Sequence, residues 1–572
     1  MSADMQPGYP WRSMVRLAGG ELVRPGARPG MRLATLGLVA CGVVLVWSHV
    51  AVAALAVCLN ETPALAADLR QAVPPIDAIA RGLLPLFTPL GVGLGGAAPS
   101  CDAAAPARAM AVAGLAYVAA LVVLARSAVP VKLTWIVVGV ATAVIQLSLL
   151  CMPGLLSSDV LDYASHGRVA AVHAANPYVM TPADFPADPF ARLGGWPDVV
   201  TVYGPLWTRL EVAITGALAD GTSVNLVLAF KLLALASELI SAGLIFWIVR
   251  RWRGIGATDA TPVAAVAMWV WNPLVNLETI GSAHNEAVMI VFVLLAFALL
   301  SEAARPRQRA LAEKFLWPIA LVCLWLGALV KFVPAGIEAI VALVWLRRAT
   351  SPSRAFGRAL LLLAALVAVT IIVAWPWLDS SAVAGPLLGL AAGGQRFKDV
   401  WQDAPAAWLT VRVMPRLGVP EADRMDVARA VVWSATRTLF VAYLAVEGWL
   451  LWRGAPGDPG HVLRKIALAS VRALLMAVLL YVSQVYAWYF LWPLPVACLL
   501  GVREAWSRAA IVFGLTFLPA FYLREFQSYG VFYMPIYAVV GVALVALIQT
   551  WYALGRRSPA RLLRPVQSDA GG

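Results

Sequence analysis

The chain has 572 residues, of which 61% are hydrophobic and only 13% are charged. Soluble domains use about 45–50% apolar and about 25% charged residues, so this composition excludes an ordinary soluble fold. The formal net charge is +13, but the basic residues stand in short clusters between apolar runs and do not follow one face. That arrangement does not favour a nucleic-acid partner. The composition therefore predicts a protein that lies in a lipid bilayer.

Long apolar runs recur along the chain, and several approach the roughly 20 residues that a helix needs to cross a bilayer. The clearest runs are Ala34 to Val57, Leu133 to Met152, Val227 to Val249 and Ala287 to Leu300. They predict an all-α polytopic membrane protein with about 14 transmembrane helices. The first run exceeds the apolar core of a secretory signal, so we expect an uncleaved anchor.

Basic clusters fix the expected orientation of these helices. Five arginines lie between residues 12 and 32, just before the first run, which places the N-terminus in the cytoplasm. Later Arg and Lys clusters fall at the ends that alternation assigns to the cytoplasm, and the even count places both termini there. The predicted divisions are a cytoplasmic segment 1–32, a transmembrane domain 33–555 with outer loops of about 58–108, 153–224 and 379–427, and a disordered cytoplasmic tail 556–572.

Two cysteines, Cys58 and Cys101, bracket the first predicted outer loop. The compartment outside the cytoplasm would permit a disulfide between them. Two unrelated buried thiols explain the same spacing equally well, so the bond is one of two open interpretations.

The stretch that follows the run Leu133 to Met152 carries the first chemical signal. If a helix begins near Ser158, Asp159 and Tyr163 share a face at a spacing of four residues, as do Asp162 and His166. Such a helix directs a carboxylate and ring donors back toward the bilayer surface. The competing interpretation is helix capping, because Ser and Asp are favoured in a first turn.

Further ionisable residues fall on the same predicted side of the membrane. His284 and Glu286 lie at the next outer helix end, and Lys331 ends another apolar run at that boundary. Ionisable groups at such depths are costly and are functional candidates by default. The alternatives are a structural histidine and a lysine that snorkels to the interface.

Several ordered motifs resemble those of bacterial membrane mannosyltransferases that use polyprenyl-phosphate sugars, a branch of the GT-C glycosyltransferase superfamily. The motifs are Asp-x-x-x-Tyr from Asp159 with Gly167-Arg168 and Asn176-Pro177-Tyr178, Tyr-Gly-Pro-Leu-Trp from Tyr203 to Trp207, Gly-x-x-His-Asn-acid from Gly281 to Glu286, and Trp-Tyr-x-x-Trp-x-x-Pro from Trp488 to Pro495. Two positions depart from the pattern: Glu286 stands where Asp is usual, and Ser158 stands where a second acid is frequent.

The resemblance implies a GT-C-like bundle whose extracytoplasmic loops form the active site, in a bacterial inner membrane. It implies an inverting transfer of a sugar, with mannose expected, from a polyprenyl-phosphate donor to a glycan or lipid-glycan acceptor. Asp159 is the expected general base and Asp162 the other catalytic candidate. Residues expected to bind substrate are Tyr163, Arg168, Asn176, Tyr178, Tyr203, Trp207, His284, Asn285, Glu286, Lys331, Arg396, Lys398, Trp488 and Tyr489.

Within that set, Arg168, Lys331, Arg396 and Lys398 are the cations expected to stabilise the leaving phosphate. The sequence shows no set of further oxygen ligands around Asp159 and Asp162, so we predict transfer without a metal or another cofactor. The aromatic residues near Trp488 either contact the donor or belong to the aromatic belt of any membrane protein.

Two other classes of protein share some of these features. A transporter or flippase of a lipid-linked saccharide would have the same spans and polar outer end, but it needs charges near the bilayer midplane, where only Glu238 stands out. A membrane scaffold explains the spans but not the clustered Asp159, His284 and Lys331. The sequence leaves the sugar, the acceptor and the linkage open.

Overall fold

The computed structural model describes residues 29–55, 74–90, 92–93, 100–101, 104–126, 129–152, 155–305, 311–378, 413–427, 434–453, 458–482 and 485–527. Several predicted features lie outside these residues, namely Cys58, Arg396, Lys398 and the tail 556–572. The side chain of Cys101 lies outside them as well, so the disulfide stays a prediction.

The regular secondary structure of the described residues is helical apart from one short antiparallel ladder, β1 (Val92–Gly93) with β2 (Ser100–Cys101). The α-helices are α1 Pro29–Leu55, α2 Pro74–Leu83, α3 Ala105–Arg126, α4 Val131–Leu150, α5 Asp159–Ala171, α6 Pro205–Ala217, α7 Ser223–Gly254, α8 Pro262–Val270, α9 Pro273–Asn276, α10 Glu286–Ala303, α11 Trp317–Ala328, α12 Pro334–Arg347, α13 Pro352–Ala374, α14 Glu421–Val427, α15 Ser434–Arg453, α16 Pro459–Met476, α17 Leu494–Leu500 and α18 Ala505–Gln527.

Seven of the described helices are long and apolar enough to cross a membrane. They are α1, α3, α4, α7, α10, α13 with the turn that follows it, and most of α18. The count rises to eight if α8 and the segment 273–281 form one span, which is bent by 51°. The chain is a multi-pass helical membrane protein, as predicted, but the described residues do not confirm the count of about 14.

Proline and capping residues begin many of these helices. Proline occupies the first turn of α6, α8, α9, α12 and α13, where its missing N–H costs no helical hydrogen bond. The side chains of Thr222, Thr261 and Asn272 accept hydrogen bonds from the first-turn amides of α7, α8 and α9. Helix starts are therefore written locally in the sequence.

The most extensive helix contacts join α1 to α3 and α4, α10 to α11 and α7, and α5 to α6. Helix α13 differs, because only 6% of the residues in its most apolar stretch are buried. Its exposed side chains, such as Leu361 and Ile372, are apolar. An outward face of this kind is expected where lipid is the solvent.

Gly204 places the motif Tyr203 to Trp207 beside Lys331. The amides of Gly204 and Leu206 donate hydrogen bonds to the carbonyls of Val330 and Leu329, at 3.2 and 2.9 Å. A Cβ at position 204 would lie 2.1 Å from the Leu329 carbonyl oxygen, so only glycine allows this approach. The start of α6 is thereby docked on the end of α11.

Candidate active site

Five ionisable side chains from four parts of the chain meet at the first turn of α5. They are Asp159, Glu278, His284, Glu286 and Lys331. The ring of His284 lies between two acids, with Nδ1 3.5 Å from Asp159 Oδ2 and Nε2 3.2 Å from Glu278 Oε2. Lys331 Nζ lies 2.5 Å from Glu286 Oε1. The sequence prediction that Asp159, His284 and Lys331 lie on one side of the protein is consistent with this cluster.

Only two of these five charged groups reach the surface. The side chain of Asp159 is 19% exposed and that of Lys331 is 15% exposed, whereas those of Glu278, His284 and Glu286 are fully buried. A ligand that approaches the cluster therefore meets one carboxylate and one ammonium. The buried members support these two groups from behind.

The cluster changes the protonation of its members outside the spans. Burial alone would raise the pKa of Asp159, but the contact with His284 and the charge of Lys331 lower it below its usual value. Burial would lower the pKa of His284, yet the two flanking acids, Asp159 and Glu278, raise it to about 9. At neutral pH the Asp159 carboxylate is ionised and the His284 ring is an imidazolium.

Helix α5 carries a second acid, Asp162, one turn after Asp159. Asp162 accepts hydrogen bonds from the backbone N–H groups of Gly195 (3.3 Å) and Trp196 (3.0 Å). Four residues on, His166 Nε2 lies 2.8 Å from the Val199 carbonyl oxygen. Burial, and then the charge of Asp159, raise the pKa of Asp162 to about 7. Asp162 and His166 thus share a face, as predicted, and that face holds the loop before α6.

Aromatic side chains surround Asp159 on the side of α6. The Tyr203 hydroxyl donates to Asp159 Oδ2 at 3.5 Å. The rings of Tyr203 and Trp207 each lie 5.0 Å from the ring of Tyr163, in edge-to-face contact. These rings fix the position of the Asp159 face of α5.

Asn176 and Tyr178, predicted to bind substrate, support the backbone around Tyr203. The Asn176 side chain accepts a hydrogen bond from the Tyr178 amide at 3.0 Å. The Tyr178 hydroxyl donates to the Tyr203 carbonyl at 3.0 Å and lies 3.0 Å from the Thr208 hydroxyl. Their contacts with the cluster run through Tyr203.

Four aromatic residues from the turn before α17 form a wall beside His284 and Lys331. They are Tyr486, Trp488, Tyr489 and Trp492. Trp488 stacks on the His284 ring at 4.1 Å, and Lys331 Nζ lies 5.2 Å from the centre of the Tyr489 ring. Trp492 Nε1 donates to Glu286 Oε1 at 3.4 Å. The structure therefore brings Trp488 and Tyr489 into the cluster.

Arg168 contacts residues away from this cluster. Its Nε donates to both carboxylate oxygens of Asp188, at 3.1 and 3.0 Å, and a terminal nitrogen donates to the Ala219 carbonyl at 2.9 Å. The guanidinium also lies over the Phe190 ring at 4.5 Å. These contacts tie the loop before α6 and the chain just after α6 to α5, and none of them is to a member of the cluster.

The turn from α9 to α10 has an unusual backbone. Residues Leu277–Gly281 form a π-helical turn, and Ala283 has a positive φ of 56°. Both features are uncommon and gather at functional sites. The Asn285 amide N–H donates to the Tyr163 hydroxyl at 3.5 Å, and its buried side-chain atoms have no hydrogen-bond partner among the described residues. The turn sends Glu278, His284 and Glu286 into one site.

Sequence reasoning missed Glu278 as a member of this site. It is the one acid in the segment Pro262–Ala283, and a lone ionisable residue in an apolar run is the signal that would have found it. Tyr522, which donates to Glu278 Oε2 at 3.2 Å, gives no such signal. Among the described residues, no group of three or more His, Cys, Asp or Glu side chains is arranged to hold a metal ion.

Comparison with known proteins gives one family. The model of the MptA_B family, described as the N-terminal domain of alpha-(1->6)-mannopyranosyltransferase, matches residues 76–347, which include α5 and Lys331. The chain is related to these mannosyltransferases. It is 28% identical to alpha-(1->6)-mannopyranosyltransferase A of Mycobacterium tuberculosis over 446 residues, or 75% of this chain and 76% of the relative.

A second relative is alpha-(1->6)-mannopyranosyltransferase A of Corynebacterium glutamicum, 27% identical over 172 residues, or 29% of this chain and 31% of the relative. No solved structure matches this chain. The predicted resemblance to GT-C mannosyltransferases is confirmed, and so is the prediction of a hexosyltransferase, since the relatives are named as mannosyltransferases. The names do not favour the alternative of a transporter or flippase.

Proposed function

We propose that the chain is an inverting glycosyltransferase that moves mannose from a polyprenyl-phosphate donor to a glycan or lipid-glycan acceptor outside the cytoplasm. The observation that carries this proposal is the exposure pattern of the cluster. Asp159 and Lys331 keep 19% and 15% of their side-chain surface, while the other three charged groups are fully buried. One accessible base and one accessible cation are what such a transfer requires.

The reaction divides between these two groups. Asp159 accepts the proton of the acceptor hydroxyl as that oxygen attacks the anomeric carbon. The bond from this carbon to the phosphate oxygen breaks, and its electrons leave with the phosphate. Lys331 stabilises the negative charge that develops there. Attack from the face opposite the phosphate inverts the configuration, as at inverting hydrolases.

The lowered pKa of Asp159 suits this role in one respect. The carboxylate is ionised at neutral pH, because the contact with His284 and the charge of Lys331 outweigh the effect of burial. A weak base serves a transition state in which the hydroxyl proton becomes acidic only as the new bond forms. The base therefore needs correct placement more than a high pKa.

Lipid solubility explains why such a site lies among membrane helices. The isoprenoid of the donor cannot leave the bilayer cheaply, at about 0.8 kcal/mol for each buried methylene. The aromatic wall beside Lys331 supplies rings on which a sugar face or the first isoprene units can pack. Asn285 and Glu286, predicted from the sequence to bind substrate, lie fully buried behind this wall, and we propose that they support Tyr163 and Lys331 in place of contacting the sugar.

The names of the relatives sharpen the donor. If this chain also forms an alpha-(1->6) bond, an inverting transfer requires a donor in which the sugar is linked to phosphate in the β configuration. Membranes that contain the chain should therefore consume β-linked and not α-linked polyprenyl-phosphate mannose. Consumption of the α-linked donor alone would contradict inversion.

The decisive test compares wild type with Asp159→Asn, using labelled polyprenyl-phosphate mannose and matched amounts of protein. Asp162→Asn is the matched control, because it makes the same change three residues away, at a carboxylate held by backbone N–H groups of the loop before α6. We expect Asp159→Asn to lose about 10²–10⁴-fold in rate, the usual contribution of a general base, and Asp162→Asn to keep most of it. Equal transfer by all three chains would remove Asp159 from the mechanism.

A further inference from the structure

The Glu278 carboxyl group is fully buried and takes no part in the reaction as described above. Among the described residues its side-chain contacts are made by Oε2, with His284 Nε2 and with the Tyr522 hydroxyl, both at 3.2 Å. Burying a carboxylate without full pairing is expensive. A residue held at such cost, next to an imidazole that touches the base, calls for a functional explanation.

The ring of His284 is flanked by a carboxylate on each side at ion-pair distance, and neither ring nitrogen is aligned for a hydrogen bond to a described residue. Nδ1 faces Asp159 at 3.5 Å and Nε2 faces Glu278 at 3.2 Å. Only an imidazolium carries an N–H on both nitrogens, so an acid on each side favours that form. Trp488, stacked on the ring at 4.1 Å, fixes its plane and adds an attraction for a cation.

The backbone explains how the two groups come to face each other. Glu278 lies in the π-helical turn Leu277–Gly281, and the positive φ of Ala283 then reverses the chain so that His284 turns back toward it. The His284 amide donates to the Glu278 carbonyl at 3.2 Å, which closes this reversal. The strain is local and serves to place one ring.

We propose that Glu278 is a positioning residue: it holds His284 from the side opposite Asp159, so that the ring presents an N–H to the catalytic carboxylate. The inference rests on the proposed role of Asp159 as the base. It assigns Glu278, which the sequence motifs do not include, a part in the same reaction. Glu278 itself touches no substrate in this scheme, because it is fully buried.

The other charged groups around the ring decide the expected direction of the effect. Asp159 and Glu278 raise the pKa of His284 to about 9, while Lys331 opposes a second cation and is itself paired with Glu286. The nearest tyrosines contact the acids and the turn and carry no charge at neutral pH. Removing the charge of Glu278 therefore lowers the pKa of His284.

Glu278→Gln tests the proposal through the pH profile of transfer. In wild type the alkaline limb of kcat should lie near pH 9, where His284 loses its proton. In the variant we expect that limb to move down by about one pH unit or more, with KM for the donor unchanged. A purely structural role would lower the rate evenly at every pH, and an unmoved limb overturns the proposal.

Glu238→Gln is the matched control. Glu238 is also fully buried, and its Oε2 accepts from the hydroxyl of Thr279, the residue next to Glu278. The substitution is chemically the same and affects the same turn, but the carboxylate of Glu238 contacts Gln146 and Thr279 and not His284. Its alkaline limb should stay with wild type; an equal shift in both variants would overturn the proposal.

A second measurement does not require the transfer reaction. The chain contains five histidines, so ring carbons labelled with ¹³C, with His284→Gln to assign the signal, report the titration of His284 in detergent. We expect a midpoint near 9 in wild type, and a midpoint about one unit lower in Glu278→Gln. An unshifted midpoint overturns the inference whatever the activity.

The two measurements separate failure of the inference from failure of the proposed function. A shifted midpoint in a chain that transfers no sugar supports the hold of Glu278 on His284 and overturns the proposed function alone. Should Glu278→Gln not accumulate, Glu278→Asp keeps the charge but withdraws it by one methylene. It should shift the midpoint in the same direction by less, and no shift would count against the proposal.

Discussion

Two acids one turn apart on helix α5 are neighbours and have opposite surroundings. On the Asp159 face, Asp159 is partly exposed and contacts the side chains of Tyr203 and His284. On the adjacent loop-binding face, Asp162 is almost fully buried and both of its oxygens accept backbone N–H groups of the loop before α6. A partly exposed carboxylate that contacts side chains is available to a ligand. A buried carboxylate whose oxygens both accept backbone N–H groups is not.

The difference extends to the cations. Lys331 belongs to the Asp159 face and keeps 15% of its side-chain surface, with Glu286 as its partner. Arg168 also holds the loop before α6, and it donates hydrogen bonds to Asp188 and the Ala219 carbonyl. We therefore expect substitutions on the first face to affect turnover, and those on the second to affect stability.

After Asp159→Asn, the largest effect is expected at Lys331. Lys331→Gln should reduce kcat by about 10²–10³-fold, because a preorganised donor to the leaving phosphate is lost. It should also destabilise the protein, since Glu286 is left buried without its charge partner. Sugar transfer and thermal unfolding in detergent measure the two effects.

The double variant Lys331→Gln with Glu286→Gln separates them. Removing both charges should restore most of the lost stability, because no unpaired buried charge remains. Turnover should stay low. Recovery of turnover in the double variant would show that Lys331 acts only as the counterion of Glu286.

Gly204→Ala tests the backbone contact that places Tyr203 beside Lys331. A Cβ there would lie 2.1 Å from the Leu329 carbonyl oxygen, so Tyr203 and Lys331 must move apart. We expect a cost of about 1–3 kcal/mol in stability and a fall of up to about 10²-fold in transfer. Gly216→Ala is the control, since its nearest neighbour would be 3.7 Å away. Similar behaviour of both variants would argue against the docking.

How much of this comparison the sequence predicts depends on distance along the chain. The spacing of four residues predicts that Asp159 shares a face with Tyr163, and Asp162 with His166, because one helix fixes those directions. The common side of His284 and Lys331 follows from alternation of spans. Both expectations agree with the structure.

Contacts made across loops are where sequence reasoning ends. Arg168 is predicted as a cation for phosphate, and nothing local reveals that Asp188, twenty residues later, occupies its fork. Glu278 is hidden because a π-helical turn and a positive φ at Ala283 redirect the chain. The span count depends partly on segments outside the described residues.

A smaller effect, on stability alone, is expected at Arg168. Lysine keeps the charge but cannot contact Asp188 through Nε and also reach the Ala219 carbonyl, so Arg168→Lys should lose about 1–3 kcal/mol. Transfer per folded molecule should stay within about twofold, because a change on the loop-binding face leaves the base and the cation in place. A rise of tenfold or more in KM for the donor would instead return Arg168 to the phosphate site.

The smallest effect is expected at Asp162 and appears as a pH dependence of stability. The folded protein raises the pKa of Asp162 from its usual value of 3.8 to about 7, because burial and the charge of Asp159 disfavour its ionised form. Between these two values the folded state binds more protons than the unfolded state, so this group's contribution to stability falls as pH rises from about 4 to about 7.

Asp162→Asn removes that titration and keeps an oxygen that accepts one of the two loop amides. We expect the unfolding temperature of wild type, relative to this variant, to fall as pH rises through the same window and to level off above about pH 7. A constant difference across the window would mean that Asp162 does not change protonation there. In that case the contrast between the two faces of α5 would rest on hydrogen bonding alone, since both acids would be charged throughout.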